Sequence, residues 1–256
     1  MSFGQDKFSE VHFWNKVAGQ RVYAAFDQEE YEDLIDRTLG RDLSGKTVVD
    51  IGSASGVSAA LLAARGAKVI GIDISPELVR QAKELWRDYD ERIDFMVGDA
   101  ESLDIPDGSA DACFFGGVLH HIPERENAYR EALRILRSGG KFIAIEPNRL
   151  DFFERVEWVV ADLRNKLTPN ESPIDPTEMR RELREIGLTD VRFRTTRHDI
   201  PVLAQLPLLR RFFSRQKGFW LKRPMLRIVN AFRAPECRGT FFVIIGTKPG
   251  RNNLTP

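Results

Sequence analysis

Four carboxylates, Asp50, Asp73, Asp99 and Glu146, and two adjacent histidines, His120 and His121, stand at or just beyond the ends of short apolar runs. Carboxylates so placed can accept hydrogen bonds from the hydroxyls and amines of a ligand. An imidazole titrates near neutrality and can take a proton from a reacting group. The stretch Asp50-Ile-Gly52-Ser53-Ala54-Ser-Gly56 carries the sharpest signal. Its glycines let the backbone turn tightly and approach a ligand, and the N-terminus of a following helix offers unpaired N–H groups. Asp73 follows about twenty residues after Gly52, where an acid suits a bidentate hydrogen bond to a ribose diol.

Such residues need a scaffold that brings strand ends together. Lys46-Thr-Val-Val reads as a short buried strand, and Val57-Ser-Ala-Ala-Leu-Leu-Ala-Ala behind the turn reads as a helix. Ala67–Asp73, Ile93–Val97, Ala112–Phe115 and Lys141–Ile145 read as four more strands. They end in Asp73, in Gly98-Asp99-Ala100, in Gly116-Gly117-Val-Leu-His120-His121 and in Glu146-Pro-Asn148. A helix is expected to carry Ala128, Leu133 and Leu136 to a break at Ser138-Gly139-Gly140. Strands alternating with helices predict an α/β fold, a mostly parallel sheet covered on both faces, with ligands outside the carboxyl ends of the strands.

Residues 1–45 read as N-terminal cap helices, with Phe13-Trp14, Val22-Tyr23 and Phe26 as an aromatic stretch. Residues 46–148 are the βα core, and 149–256 complete the same domain with cap insertions at 149–176 and 200–235. Phe153, Val156, Val160 and Leu163 recur at helical spacing, and Thr177 is expected to cap a further helix. Val191–Thr195 and Thr240–Thr247 read as the last two strands. The forty or so residues between them hold Leu206, Leu209, Phe212 and Phe213 beside Arg210 and Arg211, with no acid from Ile200 to Pro235. That composition suits a cap that admits a lipophilic or anionic substrate and could rest on an anionic membrane surface. The same face could instead pack against the domain or a second subunit.

The motifs Asp50–Gly56, Asp73, Asp99-Ala100 and Val118–Ile122, in this order and spacing, resemble the class I S-adenosylmethionine-dependent methyltransferases of the type 11, ubiquinone-biosynthesis-like group. The resemblance is dense over residues 45–148. One departure is Ala54, which stands where the usual pattern has a glycine. It implies a Rossmann-like seven-stranded sheet with an antiparallel edge pair and an aromatic N-terminal segment folded over the cofactor. It also implies that Asp50 and the turn Gly52, Ser53, Ala54, Gly56 hold the methionine part of S-adenosylmethionine. Asp73, with Ile74, would hold the ribose, Asp99 and Ala100 would edge the adenine, and Gly116 and Gly117 would leave room for the reactive end. His120 is the candidate base for an oxygen nucleophile, with Glu146 as the alternative, and His121 is expected to point into the next helical turn. A small, lipophilic or natural-product-like acceptor methylated on oxygen is the expectation. A polar metabolite or sugar, or a cofactor-binding regulator without catalysis, is the alternative.

A nicotinamide dehydrogenase would need Gly-x-Gly-x-x-Gly, which this turn lacks, and no tyrosine has a lysine four places on. The formal net charge of the 256 residues is zero, which gives no global field for nucleic acid. Cys113 and Cys237 show no disulfide or metal spacing, and no metal-ligand cluster is visible, so no metal is expected. No apolar stretch approaches a membrane span. A cytoplasmic protein, with peripheral membrane contact through 200–235 and homodimerisation both left open, is the expectation.

Overall fold

The computed structural model describes residues 7–18, 28–89, 91–164, 167–168, 170–196 and 234–250. The basic apolar segment 200–235 therefore lies almost wholly outside the described residues, as do Val22, Tyr23 and Phe26.

Seven strands form one sheet: β1 (Thr47–Ile51), β2 (Lys68–Asp73), β3 (Ile93–Val97), β4 (Ala110–Gly116), β5 (Leu136–Pro147), β6 (Thr189–Thr196) and β7 (Phe241–Thr247). Their order across the sheet is β3-β2-β1-β4-β5-β7-β6. The first five are parallel, and β7 runs antiparallel to both β5 and β6. The chain order reverses between β1 and β4, and their carboxyl ends flank the crevice where an open α/β sheet takes its ligand.

Successive residues of a strand face opposite sides, and the core divides accordingly. Val48, Ala112, Phe114 and Ile143 face one layer with α2 (Gln28–Thr38), α3 (Val57–Ala64) and α4 (Pro76–Leu85). Val49, Cys113, Phe115 and Phe142 face the other, against α5 (Glu126–Ile135) and α7 (Pro176–Glu185). Phe114, Phe115 and Phe142 are fully buried, each contributing about 2–3 kcal/mol of apolar burial. Burial on both faces is why these strands are continuous apolar runs. Two further helices, α1 (Lys7–Ala18) and α6 (Phe152–Leu163), lie in the expected cap spans.

Two local expectations are corrected. Leu136 begins β5 rather than ending a helix, and Ser138-Gly139-Gly140 forms an irregularity within that strand, with Gly139 at φ 80°. The α7 cap is Asp175, not Thr177. Asp175 Oδ1 accepts the Thr177 N–H at 2.8 Å and the Thr177 hydroxyl at 2.6 Å, and Pro176 occupies the first helical position.

Candidate active site

The chain leaves β1 through a turn that only small residues can make. Gly52 has φ 74°, and a Cβ there would stand 2.5 Å from Val118 Cγ2. Gly56 has φ 80°, and a Cβ there would stand 2.6 Å from Phe95 Cζ. Ala54 also lies in the left-handed region, at φ 48°. The backbone N–H groups of Gly52 and Ser53 both donate to the Ile72 carbonyl, at 2.8 and 2.9 Å, which binds the turn to β2.

Asp73 closes the same junction from the other side. Its Oδ2 accepts the Ala54 N–H and its Oδ1 the Ser75 N–H, both at 2.9 Å. Burial pushes its carboxyl up to about 6 against these stabilising donors. Asp50 accepts the Ser58 hydroxyl at 2.6 Å, and burial pushes its carboxyl up to about 7. Its contact is thus to the first turn of α3.

A cavity of about 840 Å³, counted with its open mouth, spreads over these strand ends. Gly52, Ser53, Ala54, Asp73 and Ile74 line one end, and Asp99, Ala100, Gly116 and Gly117 line the rest of the expected cofactor surface. Asp50, Gly56, His120 and Glu146 are not on the cavity wall. The Ser53 hydroxyl is buried and has no hydrogen-bond partner among the described residues. A buried polar atom in that condition fits a ligand group on the turn.

Helix α1 roofs the cavity. Glu10 and Trp14 line it, and the Trp14 Nε1–H donates to Glu10 Oε2 at 3.1 Å. Lys7 pairs with Asp99 and, at 2.8 Å, with Glu101. The hydroxyl of Ser75, the α4 cap, donates to Asn15 Oδ1 at 2.6 Å, and Gln81 Nε2 donates to the Ala18 carbonyl at 3.2 Å. Polar contacts from α4 and the β3 end thus hold the roof. Lys7, Glu10 and Asn15 belong to no sequence motif; within this helix the aromatic Phe13-Trp14 pair is what stands out.

Of the two histidines, His121 and not His120 faces the cavity. They lie in a short 3-10 turn, Leu119–His121, with their rings tilted against each other at a centroid distance of 4.1 Å. His121 lines the cavity, edge-on to Trp14 with ring centroids 5.2 Å apart. His120 turns inward, its Nδ1 2.7 Å from Glu146 Oε2. Glu146 is fully buried and also accepts the N–H groups of Val118, Leu119 and His120 at 3.2, 2.8 and 3.3 Å. Burial lowers the His120 imidazole to about 3 and raises Glu146 to about 8, so each is pushed toward its neutral form. No metal cluster was expected, yet donor atoms of His120, His121 and Glu171 lie within 4.8 Å of one another.

A methyltransferase-domain family model matches residues 49–144, from the first strand through the fifth. A ubiquinone biosynthesis O-methyltransferase of Xanthomonas oryzae pv. oryzae (strain PXO99A) is 30% identical over 196 residues, covering 73% of this chain and 81% of that one. The chain belongs to the S-adenosylmethionine-dependent methyltransferases. A sarcosine/dimethylglycine N-methyltransferase of Halorhodospira halochloris is likewise 30% identical, over 75% of this chain and 71% of its own length. Two other curated relatives match over a smaller share, and the chain spans 53% and 44% of their length. In fold, the crystal structure of a methyltransferase from Archaeoglobus fulgidus superposes with a TM-score of 0.63 at 16% identity, covering 87% of this chain and 95% of that one. The seven-stranded sheet with its antiparallel β7 is the fold expected of this family.

Proposed function

We propose that the protein transfers a methyl group from S-adenosylmethionine to a hydroxyl of a small acceptor. The charge of the cavity carries the reading. Glu10, Asp73 and Asp99 line it, and no lysine or arginine does among the described residues. A sulfonium cofactor with a free ammonium group fits such a wall, whereas the pyrophosphate of a dinucleotide would be repelled by it. When bound, that cofactor supplies a methyl group already activated for displacement, so the protein's part is alignment and exclusion of water.

The residues divide this work. Gly52, Ser53 and Ala54 would hold the amino-acid end, with Asp50 fixing the turn from behind. Asp73 and Ile74 would hold the ribose, and Asp99 and Ala100 the adenine. Gly116 and Gly117 leave the floor open near His121. Trp14, Tyr31, Ile51 and Ile122 add apolar wall, which suits a lipophilic acceptor. The proton of the acceptor would leave toward His121, the histidine on the wall, while His120 and Glu146 hold the turn that carries it. The likeness to an O-methyltransferase supports a hydroxyl acceptor.

One observation favours a second reading. Glu10, buried beside Trp14 on the cavity wall, could pair with a cationic amine, as an N-methyltransferase acceptor would require. The basic apolar run at 200–235 adds, on composition alone, a surface for a lipophilic substrate or an anionic membrane. No described helix is long and apolar enough to cross a membrane. Incubation with methyl-labelled cofactor and matched hydroxyl and amine acceptors tests the reading. Label transferred to hydroxyls supports it, label only on amines replaces it with the second, and failure to bind the cofactor removes both.

A further inference from the structure

We propose that His120, His121 and Glu171 form a site for one divalent transition-metal ion beside the acceptor end of the cavity. The two histidines come from the turn after β4, and Glu171 comes from the chain after α6. Folding brings their donor atoms within 4.8 Å of one another in a largely buried position.

The arrangement around His120 and Glu171 supports a cation, while His121 Nδ1 stands 3.2 Å from Thr168 Oγ1. Glu146 engages His120 at Nδ1, which leaves Nε2 to face Glu171 Oε1. A carboxylate behind a histidine is the usual companion of a metal-bound imidazole, fixing its tautomer and its direction. Glu171 in turn accepts the Thr168 N–H at 2.8 Å through Oε2, which leaves Oε1 toward His120. His120 Nε2 and Glu171 Oε1 stand 4.0 Å apart, too far for a hydrogen bond. Two bonds of about 2.0–2.2 Å to one ion would span that gap, and the His121 donor lies within 4.8 Å of both.

Two imidazoles and one carboxylate suit zinc, iron(II) or manganese(II) better than magnesium or calcium, which take all-oxygen sets. Three protein donors leave coordination positions open. Because His121 lines the cavity, an open position could meet the acceptor there. The inferred role rests on the methyl-transfer reading: the ion would hold the acceptor's oxygen in line and make its proton more acidic. With the ion bound, His121 would serve as a ligand instead of taking the proton itself.

Chelator-treated full-length protein, titrated calorimetrically with zinc and manganese chloride, tests the site without any turnover. Cobalt(II) added to a parallel sample reports the ligand set through its visible absorption. One ion per chain is expected, weakened at least about tenfold in His120→Ala and in Glu171→Gln, which keeps the side-chain shape. Thermal melts of both variants identify any loss due to unfolding, and Cys237→Ser should bind as wild type does. Absence of one-to-one binding overturns the site, as does unchanged affinity in Glu171→Gln or a loss confined to Cys237→Ser. S-adenosylmethionine binding is titrated on the same samples. Cofactor binding without metal uptake defeats this inference alone, and metal uptake without cofactor binding defeats the methyl-transfer reading alone.

Discussion

His120 Nδ1 and Glu146 Oε2 lie 2.7 Å apart beneath the cavity floor, so the two groups best suited by sequence to remove a proton are engaged with each other. Three backbone N–H groups of the Val118–His120 turn also end on Glu146. The carboxylate is therefore the centre around which the turn after β4 is folded. Glu146→Ala would leave those donors buried without an acceptor and should lower stability by about 3 kcal/mol or more. Glu146→Gln retains one acceptor oxygen and should lose less. Urea denaturation of the three proteins gives the order, and equal stability of Ala and Gln variants would contradict the anchoring role.

Asp73 joins the β1 turn to β2 and also faces the cavity. As the proposed ribose acceptor, it should contribute a charge-assisted hydrogen bond. Asp73→Ala should weaken S-adenosylmethionine binding by about 1.5–3 kcal/mol, roughly tenfold to over a hundredfold. Calorimetric titration at neutral pH measures it. A variant that binds as tightly as wild type removes Asp73 from the ribose and leaves it as a tie between strands.

The same carboxyl predicts a pH dependence of the apoprotein. Burial raises it from 3.8 to about 6, so between these values the folded chain holds a proton that the unfolded chain has released. The stability this gives is fully present below about pH 4 and is lost as pH rises through about 6. Asp50, raised to about 7, acts in the same direction. Because other groups titrate as well, the comparison is with Asp73→Asn. Stability of wild type relative to that variant should fall by about 1–3 kcal/mol from pH 4 to pH 8. A difference that stays flat across that range speaks against a buried, raised carboxyl.

The parts of the site carried by strand ends were legible because each motif lies next to the element that positions it. Asp73 ends β2, Asp99 lies two residues past β3, and the glycine turn sits between β1 and α3. The histidines were legible as a pair but not individually, since the phase of a single 3-10 turn decides which of two neighbours faces the cavity. Glu10 and Glu171 carried no signal at all. They approach the histidines only after α1 folds over the sheet and the chain returns from α6; an Asn170–Glu10 hydrogen bond links positions 160 residues apart. Thr177 looks like a cap in sequence, but Asp175 does that work two residues earlier, with proline between them.

Ala54 offers a test of the turn itself. It is one of two non-glycine residues with positive φ among the described residues, at 48°, and its N–H is held by Asp73 Oδ2 at 2.9 Å. An L-residue in the left-handed region is strained by about 1–2 kcal/mol because its Cβ crowds the following carbonyl. Glycine removes that strain but makes the unfolded chain more flexible, at a cost of about 0.4–1 kcal/mol. The first term is the larger, so Ala54→Gly should stabilise the apoprotein by about 0.5–1 kcal/mol, measurable as a higher urea midpoint at unchanged slope. Cofactor affinity should change little, since the N–H that meets Asp73 is retained. A clear loss of stability in Ala54→Gly would mean that the Ala54 methyl makes packing contacts worth more than the strain it imposes.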